Sequence, residues 1–245
     1  MLLENILLIV FSLAMGDVLA FSVRRLCLIF TDKSKIFLSK KTLIEYIDYI
    51  FSQFKNNRIN FLIYSFLLYS LSIIATWFCY KNYGFSIKSI SALLFCYGMI
   101  VLSFVDAKTQ YLPDVITKPL IIIGIMCGYF EYFTDFNSSI IGALAGYLSL
   151  WGINTLFRML RGVDGMGYGD FKLLAAIGAF AGWQILPLAV MASSILGIFV
   201  AIGLTYFGKN KLSAPSPFGP SLAIAGIVSL FWGNEIIVWY LGLYS

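Results

Sequence analysis

The sequence predicts an all-α, polytopic membrane protein of about eight transmembrane helices with its N-terminus outside. Three observations carry this. Of 245 residues, 60% are hydrophobic and 12% charged, against about 25% charged in an average soluble domain, and the mean hydropathy is +0.88. Apolar runs near the roughly 20 residues that cross a ~30 Å hydrocarbon core recur at 3–23, 61–80, 89–106, 115–133, 139–160, 170–183, 184–207 and 218–243. With eight spans and an outside N-terminus, 15 of the 17 basic residues fall in cytoplasmic segments, leaving Lys81 and Lys88 outside; such asymmetry orients membrane helices.

The first run lacks a basic leader region, carries Glu4 and is followed by Arg24 and Arg25 where a cleavage site would need small residues, so it reads as a retained span. The loop 24–60 holds eight basic and three acidic residues. Within it Leu43, Ile44, Ile47, Ile50, Phe51 and Phe54 recur at helical spacing, which suits an amphipathic helix on anionic lipid; a basic loop that only sets topology is the alternative. The third run ends in Asp106 at a membrane boundary, and the Tyr111-Leu112-Pro113-Asp114 stretch after it reads as a helix start, with Asp114 complementing the dipole. The sixth run is short and continues almost directly into the seventh, so a merged or re-entrant arrangement is open.

That sixth run opens on Gly167-Tyr168-Gly169-Asp170-Phe171-Lys172. An ionisable side chain at the mouth of an apolar helix is costly unless partnered, which makes it a candidate functional group. Glycines lacking a Cβ let another chain come close to it. A turn with a capping aspartate is the structural alternative. Asp106 and Asp170 are separated by two spans, one out and one back, so both acids are expected at the same depth on the same face. Two carboxylates in a partly dehydrated site share a proton and supply general base and general acid together.

The chain has no histidine, which excludes Ser-His-Asp, Cys-His and His-ligated metal chemistry. Cys27, Cys79, Cys96 and Cys127 are scattered without C-x-x-C spacing, so no metal site and no disulfide framework is expected. A transporter using paired intramembrane carboxylates is the alternative from another class; it calls for acids at the bilayer midplane and an internal repeat, and no repeat is visible.

Phe104-Val105-Asp106 with Leu112-Pro113-Asp114, Gly165 to Leu173, and Pro217-Phe218-Gly219-Pro220 together resemble the bacterial type IV prepilin peptidases, which are GxGD intramembrane aspartyl proteases. The resemblance implies Asp106 and Asp170 as the catalytic pair, with Gly167, Gly169, Lys172, Pro217, Gly219 and Pro220 shaping the site. It implies removal of short basic leaders from prepilin or pseudopilin substrates at the cytoplasmic face of the bacterial inner membrane, with membrane lipids as further partners and no nucleic acid. Residues 1–60 are then an N-terminal span with a shortened basic cytoplasmic loop, and 61–245 the transmembrane protease domain. The family's N-terminal signature is reduced here to Gly16-Asp17-Val18-Leu19-Ala20-Phe21 and Arg25-Leu26, and its loop of two C-x-x-C pairs is absent. Proteolysis by this pair needs no cofactor. The missing loop puts the family's second activity, N-methylation of the product with S-adenosylmethionine, in doubt, and a free N-terminal amine is expected. The particular pilin and the oligomeric state stay open.

Overall fold

A computed structural model describes residues 2–31, 58–206 and 217–242; the amphipathic stretch 43–54 lies outside them. Among the described residues there are eight α-helices and no strand: α1 Leu2–Thr31, α2 Arg58–Tyr83, α3 Ile87–Thr109, α4 Asp114–Tyr129, α5 Phe136–Arg161, α6 Tyr168–Ala181, α7 Leu186–Tyr206 and α8 Gly219–Gly242. Five stretches are long and apolar enough to cross a membrane: 63–83, 87–109, 136–161, 183–203 and 219–240. The protein is therefore an all-α polytopic membrane protein. Helix and apolar run do not end together everywhere: α1 continues past Val23 through the charged Arg24 and Arg25.

The chain forms two compact units, Met1–Phe85 and Ser86–Ser245. In the first, α1 packs on α2. Gly16 admits the ring of Tyr69, which a Cβ there would overlap. The Tyr69 hydroxyl donates to Asp17, and the Ser72 hydroxyl to the Ser12 carbonyl. An acid in the middle of an apolar helix thus has a polar partner on its neighbour.

The second unit is built around α6. Eleven of its 14 residues are buried, against α4, α5, α7 and α8. Phe171, Leu173, Leu174, Ile177 and Phe180 are fully buried, with the Phe180 ring 4.7 Å from that of Phe95 on α3. Backbones touch where α5 crosses α6: a Cβ on Gly142 would overlap the Gly178 carbonyl, and one on Gly146 would lie 2.7 Å from the Leu174 carbonyl oxygen. On the other side Gly124 of α4 admits Ala179. The Ser139 hydroxyl bonds the Ala179 carbonyl at 2.6 Å. Without a hydrophobic drive between helices in lipid, such small-residue contacts and interhelical hydrogen bonds hold the bundle together.

Helix ends follow local chemistry. Ser86 caps α3 through the Ser89 amide at 3.1 Å, and Asp135 caps α5 through the Ser138 amide at 3.0 Å. Gly162, at φ 74°, ends α5 in the left-handed conformation that glycine adopts without strain. Gly182, at φ 88°, ends α6, and a 3-10 turn over Trp183–Ile185 precedes α7. The sixth and seventh apolar runs are therefore two helices rather than one merged span.

Candidate active site

Asp106 stands one turn before the C-terminus of α3, and Asp170 is the third residue of α6. Both are buried, at 5% and 8% exposure, and the Asp106 carboxylate is near enough to act electrostatically on Asp170. Carboxylates are rarely so fully buried without a reason.

Asp106 is held by the start of α8. The Gly219 amide donates to its Oδ2 at 2.9 Å, so one of the first-turn N–H groups that a helix leaves unpaired finds a carboxylate 113 residues earlier. A Cβ on Gly219 would lie 2.6 Å from that oxygen, so only glycine allows the approach. Pro217 and Pro220 flank this point. A proline at the start of a helix loses no intrahelical bond and fixes the entering backbone.

The glycines before Asp170 do different work. A Cβ on Gly169 would meet Leu112 Cβ at 2.7 Å, so this glycine lets the α3–α4 connection close over the first turn of α6. Gly167, at the N-cap, is the one beside the acid, with Asp170 Oδ2 3.8 Å from where its Cβ would stand. Lys172 forms an ion pair with Asp114, which also pairs with Lys118 at 2.9 Å. Hydrogen bonds from Lys172, and then Lys118, hold the Asp114 carboxyl below the usual carboxylate range. Asp114 therefore does more than start a helix, since it joins the N-terminal ends of α4 and α6.

Asn154 escaped the sequence reading. Its side chain bonds the backbone of the loop that enters α6; the available signal was a lone primary amide inside an apolar helix. Among the described residues no three His, Cys, Asp or Glu side chains cluster as metal ligands.

Residues 93–202 match the model of the Type IV leader peptidase family. Over 160 residues the chain is 42% identical to the Prepilin leader peptidase/N-methyltransferase of Pseudomonas aeruginosa, covering 65% of this chain and 55% of that protein. It is 46% identical over 153 residues to the protein of that name from Aeromonas hydrophila, with 62% and 53% covered. With that of Dichelobacter nodosus the identity is 45% over 145 residues, with 59% and 49% covered. The chain thus spans about half the length of these curated relatives. No solved structure matches it. The matched stretch contains both buried aspartates, so the part of this multi-pass protein of the bacterial inner membrane that holds the acid pair is similar to the type IV leader peptidase family.

Proposed function

We propose that the chain is an aspartic endopeptidase that removes short basic leaders from prepilin-like substrates at the cytoplasmic membrane face. The observation that carries this is the pair of buried carboxylates, Asp106 and Asp170, brought to the same end of the second unit within the matched family domain. Such a pair carries one proton. The ionised member takes a proton from water, whose oxygen attacks the scissile carbonyl. The protonated member hydrogen-bonds the developing oxyanion. Collapse of the tetrahedral intermediate breaks the C–N bond, and the amine leaves with the proton that the pair removed from water. The roles belong to the pair rather than to one residue. Gly219 keeps Asp106 oriented, and the packing of Gly169 on Leu112 sets where Asp170 begins. A substrate whose scissile bond precedes its hydrophobic helix presents that bond at this depth.

The relatives' names join peptidase to N-methyltransferase. For this chain we propose proteolysis without methylation, because residues 24–60 contain no C-x-x-C pair. The transporter alternative has no support, since the chain's relatives carry peptidase names and both acids stand near helix ends.

The test is incubation of the purified protein with a prepilin and labelled S-adenosylmethionine, followed by mass measurement of the product. Cleavage leaving a free N-terminal amine is expected. Asp106→Asn and Asp170→Asn should each abolish cleavage while still inserting, and substantial cleavage by either would remove the dyad. Stoichiometric methyl transfer would show that the shortened N-terminal part holds the cofactor.

A further inference from the structure

Asn154 sits on α5 two turns before its end and is 4% exposed. Burying a primary amide costs several kcal/mol unless its hydrogen bonds are made, and here they are made to one short segment. Its Oδ1 accepts from the amides of Gly165 at 2.8 Å and Met166 at 3.1 Å, and its Nδ2 donates to Asp164 Oδ1 at 3.3 Å. All three partners lie between Gly162, which ends α5, and Gly167, which caps α6. The same segment is pressed on α5 from a second direction, since a Cβ on Gly165 would lie 2.8 Å from Phe157 Cδ1. Arg158 Nη1 stands 3.8 Å from Asp164 Oδ1. The connection therefore folds back along the last two turns of α5, with the Gly165 and Met166 amides satisfied by that helix.

Three residues after Gly167 comes Asp170, whose amide bonds the Gly167 carbonyl at 3.1 Å. We propose that Asn154 is a positioning residue for Asp170: its side-chain amide pins the glycine-rich connection so that the first turn of α6 presents the carboxylate in register with Asp106. The proposal rests on the aspartyl-protease reading. Gly165 and Gly167 leave this backbone free to take many conformations, and the close crossing of Gly142 and Gly178 fixes α6 toward its far end. At the near end Gly169 packs on Leu112 and Lys172 pairs with Asp114, and Asn154 adds the constraint on the connection that leads into that turn. A displacement of about 1 Å in a reacting group can cost on the order of 100-fold in rate, so the pin acts on kcat.

The experiment compares Asn154→Leu, Asn154→Asp and the double variant Asn154→Asp/Asp164→Asn with the wild type in prepilin cleavage. The double variant exchanges amide and carboxylate, so it restores an acceptor for the Gly165 and Met166 amides and a donor between the two side chains. Asn154→Leu is expected to lower kcat on the order of 10- to 100-fold with KM within about twofold. Asn154→Asp, which sets two carboxylates against each other, should fall similarly, and the double variant should recover most of the loss. Hydrogen exchange at the Gly165 and Met166 amides gives an activity-independent readout: protection is lost in Asn154→Leu and kept in the double variant. Wild-type kcat in Asn154→Leu despite lost protection overturns the proposal. If Asn154→Leu fails to insert, a double variant no more active than Asn154→Asp overturns it. Failure of the aspartyl-protease reading itself looks different, because the wild type would then not cleave the prepilin, or Asp170→Asn would still cleave it, while the exchange pattern stayed as described.

Discussion

α6 and α7 follow each other across one glycine and a 3-10 turn, and both are strongly apolar in sequence. α6 is enclosed by protein along nearly its whole length. α7 leaves Met191, Ile195, Ile198, Phe199 and Ile202 exposed, Phe199 at 67%. The exposed α7 is the more apolar of the two, so hydropathy does not tell which helix is enclosed; side-chain size does. α6 carries Ala175, Ala176, Gly178, Ala179 and Ala181, which let neighbours approach closely, whereas α7 presents large side chains suited to acyl chains. A helix sheathed in protein can carry a carboxylate at its head without exposing it to lipid, which is why the acid belongs to α6.

The largest expected break in that contrast is chemical. Asp170→Asn on α6 should lower cleavage at least about 100-fold. Ser194→Ala on α7, whose hydroxyl bonds back to Val190 of its own helix, should leave cleavage unchanged and shift stability by no more than about 0.5 kcal/mol. Next comes packing. Gly178→Val drives a side chain into the backbone of Gly142 and should cost about 3 kcal/mol, the upper end for overpacking, as a lowered thermal midpoint in detergent. Gly203→Val on α7, where a Cβ meets no described atom within 4 Å, should be silent in the same assay.

A finer probe sits on the outer turn of α5, facing the α6–α7 break. A hydrogen bond from the Ser138 amide holds the Asp135 carboxyl below its ordinary value. A carboxyl lowered in the folded state adds stability above the unfolded value, near 3.9, and that stability is lost as pH falls through the folded one. Asp135→Ala should therefore lower the melting temperature at pH 7, and the gap from wild type should close as the pH drops below about 4. Asp114→Asn, at the half-exposed ion pair with Lys172, should cost under about 1 kcal/mol and leave most cleavage intact. Smallest is the effect of a chelator: with no histidine and no cysteine pair in the chain, cleavage should not change.

Much of this was legible in the sequence. The apolar runs located the helices because the lipid requirement acts on every residue of a span. Asp106 and Asp170 stood out because ionisable groups in apolar stretches are few, and two intervening spans return the chain to the same face. The bond from Gly219 to Asp106, the ion pair of Lys172 with Asp114 and the anchoring of the connection by Asn154 were not legible as contacts. Each joins residues by side-chain direction across different helices, and such pairings leave no periodic trace along the chain. Even the resemblance, which placed Gly219 near the site, did not say that its amide would grip one carboxylate.

The shortness of α6 also bears on how the protein is made. Fourteen helical residues span about 21 Å, less than a ~30 Å bilayer core, and the first five residues carry both Asp170 and Lys172. Offered alone to the insertion machinery, this segment would not stay in the membrane. Its glycine contacts with α5 give it a ready partner, so stable insertion of α6 is expected to depend on α5. Variants that spoil their crossing should first be seen as nascent chains lost to proteolysis.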